Sequence, residues 1–189
     1  MFERALRFLR DHKEIALATC ESNLDYIECC HSSDIPVRDQ MTLAVPAFPK
    51  LRIFQIMKQE GHVLYFATSA KKAVYRELHQ NPNVEILAYA DNVSVRCSGV
   101  VNFNVEDDVK RWIYDNNPVL SRLYTSYDQM EYFCLPIAEM DYYDLSPTPP
   151  VFQHFDLISG QVGQGFVGDK YKNIGLFQLQ DRKIKSAIS

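Results

Sequence analysis

The sequence predicts a mainly β domain with short helices set among the strands, a small antiparallel barrel that is closed or partly open. Three observations lead there. Five or six apolar, β-rich runs are separated by short turn signals, among them Gly61 and Asp91-Asn92. Aromatic residues are plentiful, with eleven Tyr and eleven Phe, and these side chains favour strands. The helical patterns between the runs are short, and Asn-Pro pairs stop them. Periodicity alone is equally compatible with another α+β sheet.

Taken in order, Phe2 to Lys13 reads as a helix, because Phe2, Leu6 and Leu9 recur near helical spacing with charges between them. Glu14–Cys20 is a strand. Residues 21–50 carry Cys29-Cys30-His31, Pro36, Pro46 and Pro49 and are partly extended around Met41–Val45. Arg52–Lys58 and His62–Thr68 read as two strands of a hairpin across Gly61. Ala70–Gln80 is a helix with Val74 and Leu78 on its apolar face, ended by Asn81-Pro82. Val84–Ala90 and Ser94–Val105 are strands around Asp91-Asn92. Glu106–Asp115 is a helix with acidic residues in its first turn, as the helix dipole prefers. Met130–Leu145 holds the last long strand. Pro147-Thr148-Pro149-Pro150 opens a C-terminal extension, so the chain divides into a barrel over 1–145 and an extension over 146–189.

Composition narrows the function. At 189 residues, 47% of them hydrophobic, the chain is large enough to bury a core as one unit. A net charge of −4 argues against a broad nucleic-acid surface. No apolar run approaches the roughly 20 residues that span a bilayer, and the charged start Met1-Phe2-Glu3-Arg4 is unlike a secretory signal. Five cysteines without a framework spacing suit a reducing cytosol.

One constellation carries chemistry. Thr68-Ser69 ends a strand, Lys71-Lys72 follows, and a helix begins. Hydroxyls, free backbone N–H groups and two ammonium groups thus meet where the helix dipole already favours anions. Arg52, on a neighbouring strand, adds a forked donor suited to phosphate oxygens. The pattern is that of a phosphate site; the plainer alternative is a hairpin leading into a helix with solvated lysines.

The same residues carry a family likeness. Leu64-Tyr65-Phe66-Ala67-Thr68-Ser69, then Lys72, then Asn81-Pro82-Asn83-Val84-Glu85 resembles the FMN-binding split barrels related to pyridoxamine 5′-phosphate oxidase. Ile15-Ala16-Leu17-Ala18-Thr19 and Val95-Arg96-Cys97-Ser98-Gly99 flank it consistently, and the likeness covers residues 1–145; because the family turns tightly from the first strand into the Arg52 strand, it implies that residues 21–50 are an insertion. It implies a six-stranded antiparallel split β-barrel of Greek-key type. It also implies FMN phosphate held by Arg52, Thr68, Ser69 and Lys72, with Lys71 as a neighbour. The isoalloxazine would lie along Ile53, Phe54 and Gln55, faced by Phe66 and Ala67. The family buries its flavin at a homodimer interface, which makes aromatics at Tyr132-Phe133 and Tyr124–Tyr127 candidates either for dimer contacts or for the core.

Other motifs weigh less. Cys29-Cys30-His31, with Cys20 nearby, lacks the spacing of a zinc site, since adjacent cysteines of an extended chain point to opposite faces. Gly163-Gln164-Gly165-Phe166-Val167-Gly168 matches G-x-G-x-x-G formally, but no βαβ unit fits in the residues that remain. No Ser-His-Asp order or carboxylate pair stands out, so no catalytic residue is named. The resulting expectation is a cytoplasmic homodimeric FMN oxidoreductase passing electrons from a reduced donor such as NAD(P)H to a small acceptor. It has no metal, nucleic-acid or membrane partner. Pyridoxamine-phosphate oxidation itself is not expected: Trp112 is the sole Trp and no Arg-rich strand follows Leu145. A non-catalytic flavin- or haem-binding barrel, serving as sensor or store, is the alternative.

Overall fold

The computed structural model describes residues 1–20 and 48–164, with the backbone of 172–176. The insertion's Cys29-Cys30-His31 and Met41–Val45 lie outside the described residues.

The chain opens with α1 (Phe2–Asp11), whose Ala5, Leu6 and Leu9 are buried against the sheet. Arg4 ties its solvent side to Asp144 at 2.8 Å. Next come β1 (Glu14–Cys20), β2 (Pro49–Gln55), β3 (Lys58–Glu60) and β4 (Val63–Thr68). Then follow α2 (Ala73–Gln80), β5 (Asn83–Ala90), β6 (Val93–Val100), α3 (Asp107–Asn116) and α4 (Pro118–Leu123). The chain continues through β7 (Glu131–Asp144), β8 (Val151–Asp156), β9 (Gln161–Gln164) and β10 (Lys172–Leu176). Every pairing is antiparallel: the strands run β10-β9-β8-β7-β6-β5-β1-β2, and the β3–β4 hairpin joins through β4 to β7.

This is the expected curled half-barrel with short helices. The segment after Leu145 adds β8 and β9, laid onto β7 as continuations of the same sheet. The Asp91-Asn92 turn is tight because both residues take positive φ, 48° and 63°, which twists the β5–β6 hairpin correctly.

One pairing differs from the sequence reading. The turn at Gly61 (φ 57°) forms, yet only β3 pairs with β4 across it. β2 turns instead to β1, with Arg52 opposite Leu17 and Phe54 opposite Ile15. The break sits at a corner: Ile56 N–H donates to the Lys13 carbonyl at 2.8 Å, and the next residue, Met57, donates to the Tyr65 carbonyl at 2.9 Å. Burial of Ile56 pins that corner. A continuous β-rich run conceals such a change of partner, because each half still looks like strand.

β7 makes a second corner. Its first half, from Glu131 to Pro136, pairs with β4, and its second half pairs with β6 and β8. A bulge at Ser98/Gly99 lets it cross. Gly99 is required there: a Cβ would stand 2.4 Å from the Pro136 carbonyl oxygen and 2.9 Å from Leu135 Cδ1.

Two apolar clusters result. The main one fills the barrel with Leu17, Leu64, Phe66, Ile86, Val95, Phe133 and Tyr142 and takes in the buried face of α1. The second lies between α3–α4 and the outer face of β4 and β7, and includes Val109, Ile113, Leu120, Met130 and Tyr132. Tyr132 and Phe133 are therefore core within the single chain, and Tyr124 and Tyr127 pack against the second cluster.

Candidate functional site

β2 is the end strand of the sheet, paired only with β1 among the described residues. In an antiparallel ladder, hydrogen-bonded and non-bonded pairs alternate. The bond from Ile56 to Lys13 sets the phase, so Phe54 and Arg52 bond to β1. Leu51, Ile53 and Gln55 consequently turn their backbone N–H and C=O groups away from β1, toward an edge left open among the described residues.

A cleft of about 430 Å³ lies along that strand, lined by Arg52, Ile53, Phe54, Gln55, Met57, Ala67, Lys72, Ala73 and Val74. Its volume falls within the ~300–1,000 Å³ usual for small-molecule sites. α2 presents its first turn there. Lys72 is the N-cap residue, no acidic residue occupies the first turn, and no side chain caps the exposed N–H groups. Lys72 is exposed and has no carboxylate partner among the described residues.

Six residues of the sequence-derived set therefore line one cleft: Arg52, Ile53, Phe54, Gln55, Ala67 and Lys72. Four do not. Phe66 is fully buried in the core, its ring stacked on Phe133 at 5.1 Å and edge-on to Phe54 at 6.2 Å. Thr68 is 4% exposed, and its hydroxyl has no hydrogen-bond partner among the described residues. Ser69 accepts from the Lys71 N–H at 3.3 Å and its carbonyl accepts from the Lys72 N–H at 3.0 Å, so it shapes the turn into α2. Lys71 is exposed. Alternation explains the split: on β4, even-numbered side chains enter the barrel and odd-numbered ones face the other way.

Arg52 is held in a network that the sequence reading missed. Its Nη2 donates to Glu77 Oε1 at 2.7 Å and its Nη1 to the Thr19 hydroxyl at 2.9 Å. Thr19 donates in turn to Glu77 Oε2 at 2.7 Å, and Lys50 reaches Glu77 Oε1 at 3.3 Å. Glu77 is 2% exposed. Burial pushes its carboxyl pKa up, but hydrogen bonds from Thr19 and Arg52, the Arg52 charge and Lys50 outweigh that and leave it below its usual value. A signal existed in the sequence: Glu77 sits three residues after Val74 and just before Leu78, on the apolar stripe of α2. A carboxylate on a buried stripe demands a cation.

The donor set fits a flavin phosphate ester. The open edge at Ile53 and Gln55 can pair with a heteroaromatic ring's polar rim, and Phe54, Met57 and Ala67 give apolar walls. Lys72 and the start of α2 supply positive charge for an anionic tail.

Comparison with solved structures fixes the fold. The fold is similar to a protein related to general stress protein 26, of the pyridoxinephosphate oxidase family, from Clostridium acetobutylicum. The two share 12% identity at a TM-score of 0.59, covering 83% of this chain and 94% of that one. It is similar to a pyridoxamine 5′-phosphate oxidase-related, FMN-binding protein from Nostoc punctiforme, at 12% identity and TM-score 0.55, covering 93% and 94%. It is also similar to a haem-binding protein from Mycobacterium smegmatis, at 11% identity and TM-score 0.56, covering 82% and 58%. No family model matches the sequence, and no curated protein matches it. Its structural neighbours are thus pyridoxamine 5′-phosphate oxidase-like, FMN-binding split-barrel proteins, and at such identities the likeness fixes the fold alone.

Proposed function

We propose that the cleft between β2 and α2 binds FMN. On this reading the protein is a cytosolic, homodimeric flavin-dependent oxidoreductase acting between a reduced donor such as NAD(P)H and a small acceptor. The observation that carries it is the meeting, in one cleft, of a strand edge unpaired among the described residues, apolar walls and the cationic start of α2.

Bound FMN would supply the two-electron redox chemistry. The chain's own residues bind and orient. Ile53 and Gln55 offer backbone donors and acceptors, Phe54 and Met57 exclude water from the inner wall, and Lys72 neutralises the phosphate from the rim. Arg52 adds the N–H donors that Glu77 and Thr19 leave over.

The dimer has its own support. Leu51 and Ile53 on β2 are 71% and 74% exposed, and Leu87 and Tyr89 on β5 are 43% and 67% exposed. Register places Ile53, Ala16 and Leu87 in one row across β2, β1 and β5, so the four belong to one apolar outer face. Monomers seldom leave such a face bare. Ile53 also lines the cleft, and a second copy on this face would help to wall the ligand in.

The test is to purify the protein, identify the released chromophore, and titrate the stripped protein with FMN and riboflavin. FMN at one per subunit, bound more tightly than riboflavin, supports the proposal; equal affinity removes the phosphate site. Haem is the competing ligand, favoured by the Mycobacterium smegmatis neighbour and by Met57, whose thioether is an axial-ligand type. A Soret band in the isolated protein would decide for it.

A further inference from the structure

Glu77 does not line the cleft, yet it is the most buried member of the charged group behind it. The arrangement with Thr19 and Arg52 is a closed ring. The single Thr19 hydroxyl proton is spent on Glu77, which turns the hydroxyl's lone pairs toward Arg52. The guanidinium has five N–H donors. Two are taken, one by Glu77 and one by Thr19. Three remain without a partner among the described residues, on a side chain that borders the cleft.

We propose that Glu77 is a positioning residue for the ligand's anionic group: directly and through Thr19 it clamps Arg52 against α2 so that the remaining guanidinium donors are held ready at the cleft wall. This role rests on the phosphate reading given above. Arg52 stands on an end strand with 27% of its side chain exposed, so without the clamp it is free to swing into water. A long side chain stilled before binding loses less freedom on binding. The formal charges of Arg52, Lys50 and Glu77 sum to +1, so the clamp leaves the group cationic toward the cleft.

A purely electrostatic role for Glu77 makes the opposite forecast. Removing its negative charge would raise the local potential and strengthen binding of a phosphate. The sign of the effect therefore separates positioning from charge. Thr19→Val separates them again, since it breaks the ring without altering any charge.

The experiment measures FMN and riboflavin affinities of the full chain by fluorescence titration. The variants are Glu77→Ala, Thr19→Val and Arg52→Gln, and the first two are also combined with Arg52→Gln. The readout is the ratio of FMN to riboflavin affinity. The expected result is a fall in that ratio of about three- to tenfold in Glu77→Ala and in Thr19→Val, the range for freeing one long side chain. No further fall is expected when either is added to Arg52→Gln. Should Glu77→Ala not fold, the nearly isosteric Thr19→Val carries the test alone. A ratio that stays level or rises in any folded member of this pair overturns the role while leaving the FMN reading intact. A wild-type protein that does not prefer FMN overturns the parent reading, and the role with it.

Discussion

Glu77→Ala is expected to lower stability as well as ligand preference. The carboxylate accepts from Thr19 at 2.7 Å, Arg52 at 2.7 Å and Lys50 at 3.3 Å, at a site 2% exposed. Removing one partner of a buried ion pair costs about 3–5 kcal/mol, since the other charge stays behind uncompensated. Arg52 and Lys50 keep 27% and 37% of their side-chain surface in water, so solvent recovers part of this. The expected loss is about 2–3 kcal/mol for Ala and about 1–2 kcal/mol for Gln, which retains an acceptor. With a urea slope of about 2 kcal/mol per molar, the Ala midpoint falls by roughly 1–1.5 M. The pH dependence follows in sign. The folded-state pKa of Glu77 lies below its ordinary value of 4.5, so its contribution is present above that value and is lost as pH falls through the folded pKa. The gap between wild type and Glu77→Gln should thus narrow below pH 4.5. Urea melts of all three proteins at pH 7 and across pH 5 to 3 measure both effects. An Ala variant as stable as wild type at pH 7, or a gap that does not close in acid, would refute the account of the network.

Three further outcomes are expected. Lys72→Ala should weaken FMN by about 1 kcal/mol, a hydrogen bond to a charged group discounted for exposure, and leave riboflavin affinity unchanged; an unchanged FMN-to-riboflavin ratio moves the role to Lys71. Wild type should sediment as a dimer at low micromolar concentration, and Leu51→Glu, which buries a charge in the proposed interface without touching the cleft, as a monomer; a flavin-bound wild-type monomer contradicts the dimer. Gly99→Ala should destabilise the fold by about 2–3 kcal/mol, because the Pro136 carbonyl cannot retreat from the new methyl without breaking the bulge; thermal melts unchanged within error would show that the crossing is looser than its geometry.

Much of this was legible in the sequence, and the exceptions have physical causes. The Asp91-Asn92 turn and the stop at Asn81-Pro82 rest on local backbone preferences, which survive folding unaltered. The helix over Phe2–Lys13 forms two residues shorter, as α1. The partner of β2 is not a local property. Nothing between Ile53 and Lys58 marks the corner at Ile56-Met57, where one N–H bonds to Lys13, just before β1, and the next to Tyr65 on β4. Phe66 and Ala67 are neighbours in sequence but face opposite ways, and alternation without a phase cannot say which one meets the cleft. Arg52 was readable as a cation beside a helix start. That a carboxylate from α2 already holds it depends on Thr19 and Glu77, 58 positions apart, meeting at 2.7 Å.

The 14-residue run of β7 has a consequence for how the molecule comes apart. Its first six residues belong to the hairpin side and the rest to the β6 and β8 side, so neither half-sheet owns a strand of its own at the seam. Peeling β4 away exposes the backbone amides of Glu131, Phe133 and Leu135, and peeling β8 away exposes others beyond Pro136. Through shared peptide groups, each event strips support from the other. Such a spine joins what would be two separately opening units into one cooperative foldon. Amide exchange from one end of β7 to the other should then report a single opening free energy, with no step at the Pro136 crossing.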